Sequence, residues 1–287
     1  MFGPNAHLEY NTVVDHSHRD NKFLEDYCTL QSLFVNKFNL DDYDVLFISG
    51  SGTLGVESMF WSLKKCINVV GAEGSFTKRW KRLSKQYPTT SYHGTIDLFC
   101  QLETSVSHVY KKNGCAVDAV SSFPFYNIPK DTKIFATCSN KQLGSLTGLA
   151  IVCVKKDFWS NLRKCNEFSY LNLSRYKKYQ AINQTPSTTP TYIYRHLIDT
   201  LDNFNINKLR NKITTNSEVI TEAIGRDKII GEKNCPVITI KKNHIPISLA
   251  KKWNLYGLNS GGNNYHIFTY SCKNSDYERF ANEYKKK

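Results

Sequence analysis

Lys141 stands in a loop of small and polar residues, Ser139-Asn140-Lys141-Gln142-Leu143-Gly144-Ser145, between the apolar runs Ile134-Phe135-Ala136 and Leu149-Ala150-Ile151-Val152-Cys153-Val154. Both runs read as buried strands, so the ammonium group meets a core. Burial lowers an ammonium's pKa and makes the amine a nucleophile toward carbonyls. Asp118 has the opposite problem. It follows the apolar pair Ala116-Val117, and a carboxylate at a buried strand end needs a partner to stay charged. A direct Asp118–Lys141 ion pair would satisfy both groups; so would a bound group placed between them.

A third feature is Ser49-Gly50-Ser51-Gly52-Thr53, which ends the apolar run DYDVLFIS and precedes the helical pattern LGVESMFWSLKK. Backbone amides and the Thr53 hydroxyl suit a phosphate at a helix N-terminus. The stretch is not a Walker A loop, because no Gly-Lys-Ser/Thr follows. A plain strand-to-helix turn with Thr53 as N-cap fits it equally well. A phosphate cradle, an amine for an aldehyde and a carboxylate for a pyridinium nitrogen are together what pyridoxal phosphate requires.

The elements that must position these residues alternate. Residues 20–38 have apolar positions at helical spacing, Phe23, Leu24, Tyr27, Leu30, Leu33 and Phe34. CINVVGAEG, DLFCQLETS, GCAVDAVSS, KIFATCSNK and LAIVCVKK read as strands, and FTKRWKRLSKQY as an exposed basic helix. Apolar strands alternating with helices predict a mostly parallel sheet covered on both faces. Polar clusters end four of these strands: SGSGT, Glu103-Thr104-Ser105, Asp118 to Ser122, and Ser139-Asn140-Lys141. Ligands bind at that edge of open α/β sheets. After a Tyr- and Lys-rich helical region, Pro186 and Pro190 make TPSTTPT a loop, and a helix follows over 192–204. From 205 the pattern is helix (KLRNKITTNSEVITEAI), strand (CPVITIKK), helix (PISLAKKWNL) and strand (YHIFTYSC). The predicted division is a large domain over 1–204 and a small α+β domain over 205–287.

In order along the chain, HRDNKFLE, SGSGT, ETS, VDAVSS, SNKQLGSLTGLAIV and TPSTTP resemble the class V aminotransferases, fold type I pyridoxal-phosphate enzymes. The 2-aminoethylphosphonate:pyruvate and alanine:glyoxylate (serine:pyruvate) transaminases are the most similar members. The resemblance covers roughly Gly3 to Tyr194 and implies a three-layer α/β sandwich. It also implies roles. Lys141 would link covalently to pyridoxal 5′-phosphate, and Asp118 would pair with its ring nitrogen. Val120 and Phe76 would lie on the two ring faces. Ser51, Gly52, Thr53 and Asn140 would hold the phosphate, and Thr104 would lie near the ring hydroxyl. Thr185 would reach the phosphate of a neighbouring subunit in a homodimer. Phe76 reads equally as a core aromatic, and His16 and His18 as solvated loop residues. The family needs no histidine base, since the lysine amine carries the proton.

Two departures stand out. The chain is short around ETS, and the arginine that clamps a substrate carboxylate in the family's late strand is missing from Tyr265-His266-Ile267-Phe268-Thr269-Tyr270. Ile267 or a neighbour takes its place; His266, Arg19 or Lys273 are the candidate substitutes. The expected activity is transfer of an amino group between a small amine or amino acid and a 2-oxo acid. Alternatives are a lyase or desulfurase, or a non-catalytic protein of the same fold. A desulfurase would need a mobile cysteine, a role to which Cys138 in its short loop is poorly suited.

Composition narrows the partners. The net charge of +13 is spread along the chain, densest at Lys285-Lys286-Lys287. With no finger, helix-turn-helix or aromatic-basic motif, it suits an anionic cofactor or substrate better than nucleic acid. Nine cysteines without CxxC predict neither a disulfide framework nor a metal site. No membrane span is expected, and MFGPNAHLEYN has no signal-peptide pattern. A cytoplasmic location is the expectation.

Overall fold

The computed structural model describes residues 16–87, 94–164, 169–182 and 184–286. The MFGPNAHLEYN stretch lies outside them. Strands β1 (Tyr43–Ser49), β2 (Cys66–Val69), β3 (Thr95–Cys100), β6 (Ala116–Asp118), β7 (Ile134–Cys138) and β8 (Leu149–Lys155) form one sheet in the order β1-β8-β7-β6-β3-β2. Between β3 and β6 a short antiparallel pair, β4 (Leu102–Glu103) and β5 (His108–Val109), leaves the sheet. All the sheet strands are parallel except β8, which runs antiparallel to both β1 and β7. The sheet is mostly parallel, as expected, and the reversal has a local cause. The Lys141 loop joins β7 and β8 directly, without a crossover helix.

Alternation along the strands builds the layers. Val45, Phe47, Val117, Phe135, Ile151 and Cys153 face one core with Phe23, Tyr27, Leu30 and Phe34 of α1 (Asn21–Phe38). Tyr194, Leu197 and Leu201 of α5 (Thr191–Asp202) complete that core. Leu46, Ile48, Ala116, Ile134, Ala136, Val152 and Val154 face the other, against α2 (Gly52–Ser62), α3 (Ser75–Gln86) and α4 (Leu173–Gln180). Burial on both faces explains the unbroken apolar runs. Each fully buried Phe or Ile contributes about 1.5–3 kcal/mol over exposure. Cys153 is a buried core residue of this kind. The α3 expectation needs one correction: Thr77 and Trp80 of this basic helix are buried.

The C-terminal part holds α6 (Ile206–Ile224), β9 (Ile229–Ile230), β10 (Val237–Lys241), α7 (Ile247–Lys252), β11 (Asn264–Phe268) and α8 (Asn274–Lys285). Strands order β11-β10-β9, all antiparallel. Helix α8 was not foreseen; its Tyr277 and Phe280 join Ile238, Ile240, Tyr265 and Ile267 in the core. The opposite face, with Val237 and Phe268, packs with Leu102 of β4. That contact turns β11 toward the edge of the large sheet where the polar clusters lie.

Candidate functional site

Lys141 lies in the β7–β8 loop. The turn is fixed by Ser145 N–H donating to the Ser139 carbonyl at 3.0 Å and by Ser139 Oγ donating to the Leu146 carbonyl at 2.5 Å. Among the described residues Lys141 Nζ has no hydrogen bond or ion pair; its contact is the Phe268 ring, 5.1 Å from Nζ to the centroid. Burial lowers its pKa, opposed by the Cys138 thiol and the Asp118 carboxylate. Asp118 and Lys141 therefore do not form the direct ion pair that would have made both purely structural.

Asp118 ends β6 and is 3% exposed. Trp80 Nε1–H donates to its Oδ2 at 2.8 Å, and Val120 N–H donates to its Oδ1 at 3.1 Å. Burial still pushes the carboxyl up to about 6, against those two donors and Cys100, which pull it down. A cation placed beside Asp118 would restore its charge.

The Ser49–Thr53 turn starts α2. Its N-cap is Ser51, whose Oγ accepts from Leu54 N–H at 3.4 Å, rather than Thr53. Thr53 is the second residue of the helix and accepts from Arg79 Nη1 at 3.4 Å. A Cβ on Gly52 would come within 2.7 Å of both Val120 Cγ atoms. Glycine is required for the α2 N-terminus to approach the Asp118–Val120 turn. Val120 is thus brought against Gly52, and Cys138 is within 3.3 Å of the same point. Asn140 is half-buried beside Lys141 in the turn.

The ETS segment has a structural task that the sequence did not reveal. Gly74, the N-cap of α3, offers no side chain. Ser105 Oγ accepts from Ser75 N–H at 2.9 Å, Glu103 Oε1 from Phe76 N–H at 3.4 Å, and Glu103 Oε2 from Thr77 N–H at 2.8 Å. A carboxylate at a helix N-terminus satisfies free donors and the helix dipole together. Gly74 must be glycine, because a Cβ would lie 2.1 Å from Glu103 Cγ. This cap fixes where α3 begins, and so places half-buried Phe76, with Trp80 tilted behind it at 6.3 Å and Arg79 at 5.9 Å from its ring. Trp80 therefore ties Phe76 to Asp118.

Thr185 is buried, and its hydroxyl accepts from Ser187 N–H at 3.0 Å. The segment is held within its own chain at the end of β1: Thr188 N–H and Thr189 Oγ1 donate to Ser49 Oγ at 3.0 and 2.8 Å. Thr104 is half-buried, and its carbonyl accepts from Thr239 Oγ1 at 2.9 Å. The late strand decides between Ile267 and its neighbours. Ile267 is buried in the small core and cannot stand at the site. By strand alternation Asn264, His266 and Phe268 share the opposite face. His266 is pushed down to about 4 by burial. Cys138 is buried and its thiol is pushed up to about 11, chiefly by desolvation, so it lacks the thiolate a sulfur carrier needs. No group of three or more His, Cys, Asp or Glu that could hold a metal occurs among the described residues, and no helix among them is long and apolar enough to cross a membrane.

Trp80 and Arg79 are the site residues that sequence reasoning missed; Glu103, expected only as part of a polar cluster, caps α3, and Phe268, a neighbour of Ile267, meets Lys141. Trp80 follows Phe76 by four positions in an otherwise basic helix; that spacing is the signal for a buried stripe.

No family model and no curated protein sequence matches the chain. Solved structures do. A phosphoserine aminotransferase from Cytophaga hutchinsonii superposes with a TM-score of 0.78 at 17% identity, over 95% of this chain and 91% of that one. An alanine–glyoxylate aminotransferase from Nostoc sp. gives a TM-score of 0.77 at 16% identity, over 96% and 89%. A pyridoxal-phosphate-bound phosphoserine aminotransferase from Trichomonas vaginalis gives 0.73 at 13%, over 95% and 90%. The chain has the fold of these aminotransferases. The three-layer α/β expectation is borne out.

Proposed function

We propose that the chain is a pyridoxal-phosphate-dependent aminotransferase that works as a homodimer. It would move an amino group between a small amine or amino acid and a 2-oxo acid. The observation that carries the reading is Lys141, a half-buried amine that makes no ion pair among the described residues and lies within electrostatic reach of Asp118. The residues present fit the cofactor. Gly52 lets the α2 N-terminus close on the Asp118–Val120 turn, where free helix amides suit an anion, and the raised pKa of Asp118 marks a carboxylate that a cation would charge. When bound, the cofactor would supply an electron sink for the carbon that bears the amino group.

The chain's own residues then have separable tasks. Lys141 Nζ would be the amine that holds the cofactor and the base that moves the proton of the donor's α-carbon. Its lowered pKa leaves the amine free to do both. Asp118, oriented by Trp80, keeps the ring nitrogen cationic. Phe76 and Val120 would flank the ring, and Ser51, Gly52, Thr53 and Asn140 would hold the phosphate. Thr104 would lie by the ring hydroxyl, and the segment of Thr185, whose hydroxyl is buried and bonded within its own chain, would face the second copy's phosphate. The inert Cys138 thiol disfavours a desulfurase.

Adding pyridoxal phosphate to the purified protein is expected to give a visible absorption band that the Lys141→Ala variant lacks. A band that persists in that variant, or never forms, overturns the cofactor assignment. Amine and amino-acid donors should then bleach it with the amino group retained on the protein-bound cofactor.

A further inference from the structure

On the proposed reading, β11 faces the substrate, and its face carries no cation. Phe268 covers the Lys141 amine, Tyr256 stands edge-on to Phe268 at 5.5 Å, and the same Tyr256 ring lies 6.0 Å from His266. The half-buried imidazole thus stands on the Lys141 side of the strand. We propose that His266 presents an unprotonated Nε2 as a hydrogen-bond acceptor, and that the amino donor it selects carries a hydroxyl there in place of an α-carboxylate.

Proton counting fixes the tautomer. Four short contacts meet around Thr239. Ser107 Oγ lies 2.6 Å from the Val237 carbonyl and 2.6 Å from Thr239 Oγ1. Thr239 Oγ1 lies 2.9 Å from the Thr104 carbonyl and 3.0 Å from His266 Nδ1. The two carbonyls only accept, and the two hydroxyls bring one proton each. With a bare Nδ1, two protons serve four contacts. With a proton on Nδ1, a third contact is made, because Nδ1–H donates to Thr239 Oγ1. A Thr239 hydroxyl that accepts from Ser107 and His266 and donates to Thr104 uses all its capacity. The group is buried at Ser107 and Thr239, where an unmade hydrogen bond is costly. The proton therefore sits on Nδ1, and Nε2 has a lone pair with no partner among the described residues.

A lone pair repels a carboxylate and accepts from a hydroxyl. Where an arginine would select for α-amino acids by bidentate bonding, this imidazole selects against them and for 2-amino alcohols. The relay also ties the acceptor to the Thr104 carbonyl, so its position follows the ETS segment that places Phe76.

The test uses alaninol and alanine, which share a skeleton and differ in the group at issue. With pyridoxal phosphate bound, alaninol should shift the visible band at a half-saturating concentration about tenfold lower than alanine, the value of one net hydrogen bond. His266→Phe should erase the ratio, and His266→Gln, which can carry an acceptor to the same place, should keep it. Independently, ¹⁵N NMR of the histidine-labelled chain without cofactor should show His266 protonated at Nδ1, with the Nε2 signal moved by alaninol and not by alanine. A preference for alanine, an unchanged ratio in His266→Phe, or a proton on Nε2 overturns the inference. If no visible band forms, the functional reading falls, while the Nε2 signal still decides the tautomer and the alaninol preference.

Discussion

Replacing Asp118 by asparagine separates this carboxylate's electrostatic cost from its hydrogen bonds. In the folded chain without cofactor, burial holds the carboxyl at about 6 against an ordinary value of 3.8. The folded state thus keeps a proton that the unfolded state has released. Wherever the folded state binds more protons, stability falls as pH rises. The loss begins near the unfolded value and is complete above the folded one. About two pKa units correspond to roughly 3 kcal/mol, most of which falls between about pH 4 and about pH 7.5. Asparagine cannot titrate. It also gives up one acceptor to Trp80 or Val120, at a cost of about 1 kcal/mol that does not depend on pH. Urea unfolding of both proteins across that range should therefore give a stability difference, variant minus wild type, that climbs by about 2–3 kcal/mol. Saturating pyridoxal phosphate should remove the climb, because a ring cation beside Asp118 favours the charged form. A difference that stays flat with pH would refute the reasoning: Asp118 would then be solvated or already paired.

Two further substitutions test the scaffold around it. Glu103→Gln should destabilise the chain by about 1–3 kcal/mol, since an amide nitrogen would face the Phe76 or Thr77 N–H that a carboxylate oxygen now accepts; a loss below about 0.5 kcal/mol in urea unfolding would mean that α3 is capped otherwise. Tyr270, 8% exposed, has a buried hydroxyl without a hydrogen-bond partner among the described residues, so Tyr270→Phe should leave stability unchanged or raise it by about 1 kcal/mol; a clear drop in melting temperature would reveal a bond formed by that hydroxyl in solution.

The legible parts of this protein are those in which one residue type has one physical solution. A lysine between two apolar runs and an aspartate after a third could be read from the sequence, because a buried charge must meet a partner or a ligand. The sheet was legible because burial on both faces leaves strands without polar positions. The parts that escaped depend on contacts distant in the chain. Glu103 caps a helix that starts twenty-eight residues before it, and neither segment alone announces the pairing. Trp80 was hidden by charge: the lysines and arginines around it dominated the reading of α3, although a single aromatic at helical spacing from Phe76 outweighs them in burial. Ile267 shows the same limit in a strand. The missing arginine was placed by likeness of sequence, but a one-residue shift moves every side chain to the other face. Only the pairing of β11 with β10, Ile238 opposite Ile267 and Thr239 opposite His266, decides which residues look at Lys141. On the proposed reading, that register sets an aromatic ring and one imidazole where the resemblance implies a clamp for carboxylates, and so it bears on substrate choice more directly than the motifs that point to the cofactor.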